Sequence, residues 1–332
     1  MPVPPENAYT RMMATTLRPC PHLPWRVLDL FAGAGGLALG FEAQGFHTEG
    51  YEADEDCCVS YRQNLDSPCN QMFLTEETKF PRADVVIGGP PCQPFSVSGE
   101  QRGEHDPRNG FPAFIRAVEQ AKPKLWMIEN VKGILYRNRE YFQQVLHSLA
   151  AMGYETTAQV VKATDYGVPQ KRERLVAVGH KGNFRMPDPV DYLVTAGDAL
   201  GALARQAPAS SKFLTPAQDR YIARYEAKSH CARPRDLHLD EPARTVTCRN
   251  LAGATSDMHR VVLPDGRRRR LTVREAARLQ SFPDWYQFHG NEQSQFNQVG
   301  NAVPPLMAYH LAGAVRQHLE GRRTVSKRLV TA

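Results

Sequence analysis

The stretch GGPPCQPFSVSG at 88–99 surrounds one cysteine with glycines and prolines. A free cysteine is usually a small buried hydrophobe inside a regular element. The prolines around Cys92 instead fix the backbone and oppose a helix, so the direction of the thiol is set before a substrate arrives. Because a thiolate is an effective nucleophile, we predict that Cys92 is catalytic. A buried structural thiol is the alternative.

A carboxyl group and two guanidinium groups occur where they could assist such a thiol. Glu129 lies near the end of the apolar run KLWMIENV, and QKRER at 170–174 places Arg172 and Arg174 just before LVAVGH. Open α/β sheets place their sites at the carboxyl ends of strands. We therefore expect thiol, carboxyl and guanidinium on one rim, able to stabilise developing charge. Singly, a strand-end acid and a surface basic patch remain the alternatives.

The run FAGAGG at 31–36 and a later acid suggest a ligand site. Gly33, Gly35 and Gly36 would let the backbone approach a ligand at a helix N-terminus. Glu52 ends the second predicted strand, where an acid can bind ribose hydroxyls. Neither G-x-G-x-x-G nor a Walker lysine is present. The pair indicates an adenosine-containing ligand, with a plain strand–helix turn as the alternative.

Strand and helix patterns alternate in the first half of the chain. The predicted strands are 25–31, one ending near Tyr51 and Glu52, 83–89, 124–131 and 175–180. The predicted helices are 111–121, 139–153, 271–282 and 304–321, the third with a Thr272–Glu275 capping box. This alternation predicts an α/β fold whose mostly parallel sheet carries helices on both faces.

Prolines interrupt this rhythm after residue 181, which indicates a smaller, irregular domain. The predicted division is a loose N-terminal arm (1–24), an α/β domain that carries the catalytic candidates (25–180 with 298–321), a smaller irregular domain (181–297) and a basic tail (322–332).

Composition and charge narrow the class of protein. The net charge is +6, and arginines concentrate between Lys228 and Arg270, which favours a nucleic-acid partner over the alternative of a solvated charged face. No run of ~18 apolar residues predicts a membrane span. The N-terminus lacks the apolar core of a secretion signal, so we expect a reducing, cytoplasmic location.

The cysteines do not indicate a metal or disulfide framework. Their number, seven, is odd, and no C-x-x-C pair occurs. His230, Cys231, His238 and Cys248 match no common ligand spacing, so no metal site is predicted.

Taken together, the motifs resemble a known family. DLFAGAGG, GGPPCQPFS, ENV, QKRERLVAVG, LTVREAARLQSFPD and QVGNAVPP follow one another over about residues 25–320. This order resembles a DNA (cytosine-5)-methyltransferase of the bacterial type. The resemblance implies a Rossmann-like methyltransferase sheet and S-adenosylmethionine (SAM) as methyl donor. It also implies a modification enzyme of a restriction–modification system that methylates cytosine C5 in a specific double-stranded DNA sequence.

The resemblance assigns catalytic roles. Cys92 would bond to C6 of a cytosine flipped out of the duplex. Glu129 would hydrogen-bond N3 and the exocyclic amine. Arg174 would position the base, with Arg172 supporting the fold or backbone contacts.

It also assigns the cofactor site. Phe31 would pack on the adenine, the glycine turn with Gly33, Gly35 and Gly36 would hold the methionine part, and Glu52 would take the ribose. Gly89 and Pro91 would line the floor, and Asn301 would close the pocket. The family's usual aspartate after the third strand is missing, and Asn70 or Gln71 are the substitutes considered.

For DNA, the resemblance implies a mobile loop over 96–110 that includes Ser96. It also implies that 181–297 is the target-recognition domain, with base readers in TVTCRN at 245–250, namely Arg249 and Asn250. The arginine run 267–270 suits phosphates. We expect a monomer that acts with a cognate restriction endonuclease.

Three alternatives are open. A tRNA methyltransferase of the same family would carry a CFT-containing stretch, which is absent. A catalytically silent DNA-binding protein would not need Cys92, Glu129 and Arg174 together. A dinucleotide-dependent oxidoreductase leaves the proline-rich surroundings of Cys92 unexplained.

Overall fold

The computed structural model describes residues 6–91, 109–209, 211–230, 235–252 and 257–321. Cys92, Ser96 and nearly all of the loop predicted over 96–110 lie outside these ranges, as do Cys231 and the predicted basic tail.

A seven-stranded sheet forms the centre of the molecule. In chain order the strands are β1 (Arg26–Leu30), β2 (His47–Glu52), β3 (Cys69–Gln71), β4 (Val85–Gly88), β5 (Leu125–Val131), β6 (Glu155–Lys162), the short β7 (Gln170–Lys171), which lies outside this sheet, and β8 (Glu173–His180). The order across the sheet is β3-β2-β1-β4-β5-β8-β6. The first five are parallel, and β8 is antiparallel to both of its neighbours. The predicted mostly parallel α/β sheet is confirmed, and β3 and β6 are additions to the predicted strands.

Helices cover both faces of this sheet. They are α1 (Ala8–Thr16), α2 (Gly36–Ala43), α3 (Glu55–Asn64), α4 (Phe111–Ala121), α5 (Ile134–Arg137), α6 (Arg139–Ala150), α7 (Ala196–Leu200), α8 (Pro216–Lys228), α9 (Cys248–Ala252), α10 (Val273–Leu279), α11 (Glu292–Asn301) and α12 (Pro305–Leu319). Three further short strands, β9 (Ala243–Arg244), β10 (Arg260–Val262) and β11 (Arg268–Arg270), lie in the second half.

The alternation of side chains along β1 separates two apolar cores. Val27 packs with the core that contains α2 and α12, whereas Leu28 and Leu30 pack with the core that contains α4 and α6. Successive residues of a strand point to opposite faces, so a strand such as β1, whose residues after Arg26 are all buried, must be covered on both sides.

The N-terminal segment is more ordered than predicted. Asn7 caps α1, and its Nδ2 donates to the carbonyl oxygen of Ala199 at 3.3 Å. Tyr9, Met13 and Leu17 are buried in the main core. The stretch predicted as a loose arm therefore contains a docked helix.

The segment before α12 packs on the apolar core that contains α2. Phe282 and Tyr286 belong to the same apolar core as α2, and the Tyr286 hydroxyl donates to the carbonyl oxygen of Ala34. The predicted boundary between residues 297 and 298 falls inside α11. The Thr272–Glu275 capping box at the start of α10 is confirmed.

The described ranges contain neither a membrane-spanning helix nor a metal-holding cluster. There, no helix is both long and apolar enough to cross a bilayer. The same residues contain no group of three or more His, Cys, Asp or Glu side chains placed to hold a metal ion.

The C-terminal helix α12 is held against α2 by a close backbone approach. A Cβ added at Gly40 would lie 2.4 Å from Ala308 C and 2.4 Å from Tyr309 N. These atoms are backbone and cannot rotate away, so the glycine sets how closely the two helices pack.

We predict that Gly40→Ala lowers the free energy of unfolding by about 1–3 kcal/mol, because overpacking forces the helices apart. Gly313→Ala in α12 is the matched control, since its new Cβ would meet only side-chain atoms of Gln44, at 3.2 Å or more. The control should be neutral or stabilising by up to about 1 kcal/mol. Urea unfolding measures both. Equal stability of the two variants would contradict the close-approach argument.

Candidate active site

A cleft of about 970 Å³ opens at the carboxyl ends of β1, β2, β4 and β5. Ten of the site residues predicted from the sequence line it, namely Phe31, Gly33, Gly36, Glu52, Gly89, Pro91, Glu129, Arg172, Arg174 and Asn301. The structure thus brings the predicted cofactor residues and the predicted carboxyl and guanidinium groups to one cavity.

The turn after β1 is shaped by positive φ angles and one carboxylate. Phe31 has φ 57° and Gly33 has φ 54°, and a left-handed backbone is uncommon for a phenylalanine. Glu52 Oε2 accepts from Gly33 N at 2.8 Å, and its Oε1 accepts from Ala53 N and Asp54 N at 2.8 and 2.9 Å. Glu52 therefore joins the ends of β1 and β2 while it borders the cleft.

Gly35 has a structural role. It precedes α2 with φ 84°, and a Cβ there would lie 2.8 Å from Leu65 Cδ1 and 2.9 Å from Tyr61 Cδ2. These neighbours belong to the apolar core, so Gly35 faces the protein interior.

Asp29 is a site residue that the sequence reasoning did not include. It lines the cleft, is 1% exposed, and its Oδ2 has no hydrogen-bond partner within the described part of the chain. Burial, and then the charges of Glu52 and Glu42, raise the pKa of this carboxyl well above its usual value. The available signal was a lone acid inside the apolar strand VLDLF.

Glu129 and Arg174 form the floor of the cleft. Arg174 Nε lies 3.1 Å from Glu129 Oε1, and the two side chains are 13% and 11% exposed. Within the described residues, the buried Glu129 Oε1 makes no aligned hydrogen bond. The pair therefore keeps hydrogen-bonding capacity for a ligand.

The pairing register explains how these two residues meet. In a parallel strand, residues 172–174 would lie at the amino edge, away from the end of β5. Because β8 is antiparallel to β5, Arg174 pairs with Val131 and Glu129 with Val176. Glu129 and Arg174 are thus diagonal neighbours across two strands.

Arg172 ties distant segments together beside this pair. Its guanidinium donates to the carbonyl oxygens of Val246 at 2.9 Å and Ala302 at 3.0 Å. It is 2% exposed, and burial, with a further contribution from Arg174, lowers its pKa to about 9. Its contacts favour the supporting role over a direct chemical one.

The entry to Cys92 is anchored on both sides. Asn130, next to Glu129, donates from Nδ2 to the carbonyl oxygen of Pro90 at 2.9 Å. Gly110 N donates to the Pro91 carbonyl at 3.0 Å. The two ends of the segment that follows Pro91 are therefore fixed at the cleft.

The region of the missing aspartate is apolar. Asn70 Nδ2 donates to Glu49 Oε1 at 3.0 Å, which commits its amide elsewhere. Gln71 is exposed, and Met72 and Phe73, which line the cleft, are 39% and 61% exposed. Met72 and Phe73, and not the predicted Asn70 or Gln71, therefore border the cleft here.

Of the two predicted base readers, only Arg249 is exposed. Asn250 is 5% exposed, its Oδ1 accepts from Thr247 N at 2.9 Å, and its Nδ2 donates to the Thr245 carbonyl at 2.8 Å. Both ends of the Asn250 amide therefore hold a local turn, and its role as a base reader stays a prediction without support from this geometry.

The arginine run predicted to bind phosphates is mostly engaged within the protein. Arg269 is fully buried and pairs through two nitrogens with Glu275, at 2.6 and 2.8 Å. Arg268 pairs with Asp219 and Asp236, while Arg267 is exposed and pairs with Asp265. These ion pairs hold together the irregular domain predicted over 181–297, called the module below.

Comparison with known proteins agrees with the geometry. The chain is 52% identical over 299 residues to the Type II methyltransferase M.AplI of Arthrospira platensis, covering 89% of this chain and 87% of that one. It is 34% identical to the Type II methyltransferase M1.HphI of Haemophilus parahaemolyticus, over 87% and 86% of the two chains.

A solved structure described as a DNA modification methyltransferase from an E. coli prophage has a TM-score of 0.65 at 25% identity, over 89% of this chain and 99% of its own. Residues 25–317 match the family of C-5 cytosine-specific DNA methylases. The chain therefore belongs to the C-5 cytosine-specific DNA methylase family and is a DNA (cytosine-5)-methyltransferase.

Proposed function

We propose that this enzyme methylates C5 of a cytosine flipped out of a specific double-stranded DNA sequence, through a covalent bond between Cys92 and C6. It would serve as the modification enzyme of a restriction–modification system. The main support for this proposal is the Glu129–Arg174 pair at the cleft floor, 3.1 Å apart. It lies next to Asn130, which hydrogen-bonds the backbone just before Cys92. The likeness to Type II methyltransferases supports the biological setting.

The family's methyl donor is SAM, and the residues of the cleft fit it. SAM carries a positive sulfonium and an ammonium group, and the end of the cleft near β1 and β2 carries the carboxyls of Asp29, Glu52, Asp54 and Asp56. The orphaned Asp29 Oδ2 is suited to a cationic donor. Phe31, Met72 and Phe73 offer apolar surface for the adenine. When bound, SAM would supply an electrophilic methyl group.

The reaction of the cytosine would take place at the other end of the cleft, where Glu129 of β5 and Arg174 of β8 lie. The thiolate of Cys92 would add to C6, and the ring electrons would move toward N3, where Glu129 would hydrogen-bond or donate a proton. C5 then becomes nucleophilic enough to accept the methyl group. Loss of the C5 proton would expel the thiolate and restore the ring. Arg174 would hold the Glu129 carboxyl and the base in position.

Sequence choice would come from the module between β8 and α10. Arg249 is exposed on α9, whose first residues pack against Gly300 beside the cleft. An exposed arginine can read guanine in the major groove. We propose Arg249 as a base reader and expect the enzyme to act as a monomer, with a cognate restriction endonuclease in the same system.

We predict that Cys92→Ser abolishes methyl transfer while SAM still binds, because a hydroxyl is a much weaker nucleophile than a thiolate. With the wild type, a duplex containing 5-fluorocytosine at the target should form a SAM-dependent covalent adduct, because fluorine cannot leave as a proton. Filter binding of labelled methyl groups and denaturing gels measure the two effects. Turnover by Cys92→Ser, or absence of the adduct, would defeat the mechanism. Transfer of labelled methyl groups to tRNA in place of duplex DNA tests the related RNA activity.

Glu129→Gln should lower kcat by about 10²- to 10⁴-fold, because it removes the acid that stabilises charge at N3. Its affinity for SAM should be unchanged. Glu155→Gln is the matched control, since Glu155 is exposed at the far end of β6. Single-turnover methylation and SAM titration separate the two quantities. A weakened SAM affinity with an unchanged rate would instead place Glu129 in the cofactor site.

Asp29→Asn should stabilise the free protein, and more at about pH 8 than at about pH 4. The folded pKa of Asp29 is raised, so above the unfolded value of about 3.9 the unfolded chain loses its proton first. That linkage destabilises the native state as pH rises, and asparagine removes it. The same variant should bind SAM more weakly.

Thermal unfolding at both pH values, and SAM titration, test this prediction. The exposed Asp191→Asn is the control. A gain in midpoint that does not depend on pH would contradict the raised pKa, and unchanged SAM affinity would contradict the contact with a cation.

A further inference from the structure

The helix α8 separates its charged residues by sign. Its two acids point into the module. Asp219 Oδ1 lies 3.4 Å from Arg268 Nη1, and Glu226 Oε1 lies 3.0 Å from Arg260 Nη2. Ile222 is 1% exposed. The acids of α8 are thus used to neutralise arginines of the module itself.

The basic residues of α8 are all exposed. Arg220, Arg224 and Lys228 follow one another at intervals of four residues, so they share one face of the helix. Tyr221, beside the first of them, is 48% exposed. The outer face of α8 is therefore a continuous cationic stripe with an aromatic side chain at its edge.

This arrangement is unfavourable for an ordinary solvated helix face. Like charges four residues apart destabilise a helix, whereas mixed signs at that spacing stabilise it. Neither acid of α8 stands three or four residues from Arg220, Arg224 or Lys228, and both pair with Arg260 and Arg268. An external anion would supply the missing compensation.

The dimensions of the stripe fit one anion in particular. From Arg220 to Lys228 the helix rises about 12 Å. Over that length one strand of duplex DNA presents about three or four phosphates, at about 3.4 Å of axis each. Three flexible cationic side chains match such a row.

We propose that Arg220, Arg224 and Lys228 bind the phosphate backbone of the DNA duplex and thereby orient the recognition module without reading sequence. This inference rests on the proposed action on double-stranded DNA. It transfers to α8 the phosphate role that the sequence suggested for residues 267–270, which are largely occupied by internal ion pairs.

The test is the salt dependence of DNA binding by the triple variant Arg220→Ala, Arg224→Ala, Lys228→Ala. Each phosphate contact contributes about 0.9 to the slope of log K against log salt, so the slope should become shallower by about 2.7. At low salt, affinity should fall by roughly tenfold or more, equally for target and unrelated duplexes. The rate of methylation at saturating DNA should be retained.

Two matched variants sharpen the result. Lys79→Ala, Arg82→Ala, Lys122→Ala removes the same charge from exposed positions that precede β4 and β5, at the sheet edge away from the cleft, and should leave the slope unchanged. Arg220→Lys, Arg224→Lys keeps the charge and should keep the slope. The proposed role of Arg220, Arg224 and Lys228 would be wrong if their triple alanine variant kept the wild-type slope. It would also be wrong if the Lys79, Arg82 and Lys122 control lost as much slope.

The same titration separates this inference from the proposed function. If the wild type binds and methylates duplex DNA but the α8 variant binds equally well, only the stripe is wrong. If the wild type shows no salt-dependent binding to a duplex, the proposed action on double-stranded DNA fails, and the stripe with it.

Discussion

The active site depends on the direction of one strand. β8 enters the sheet antiparallel to β5, so its first residues arrive at the edge where the parallel strands end. There Arg174 meets Glu129 at 3.1 Å in a nearly closed environment. A low local dielectric strengthens such a pair and makes an unpaired carboxylate costly. The floor of the cleft is therefore set by strand direction and register as much as by the identity of the two residues.

A buried polar network carries this geometry to the rest of the chain. Gln170 Oε1 accepts from Val246 N at 3.0 Å, and Gln280 Nε2 donates to the Ala302 carbonyl at 2.6 Å. The Arg172 guanidinium donates to the carbonyl oxygens of Val246 and Ala302. Because buried polar groups must be satisfied, this network permits few alternative arrangements. It explains how residues after α11 come to border a cleft built mainly from the first 175 residues.

The arginines show why total charge is a poor guide to function. Most of those in the basic segment hold the module together, as in the buried pairs of Arg269 with Glu275 and Arg260 with Asp236. A buried guanidinium needs such partners. The arginines and lysines that these ion pairs leave exposed include Arg249 and the residues on the outer face of α8. The ion-pair partner of each arginine, and not the total charge, decides which part of the surface is basic.

The sequence by itself determined the features that depend on neighbouring residues. The glycine turn after β1, the strand that ends at Glu52 and the Thr272–Glu275 capping box follow from backbone and side-chain preferences that act over a few positions. Only the tertiary structure decided the direction of β8, the burial of Asp29 and the internal use of Arg260. Those outcomes depend on groups far along the chain, such as Glu226, 34 residues from Arg260. Local chemistry specifies elements, but partners and burial exist only once the chain has folded.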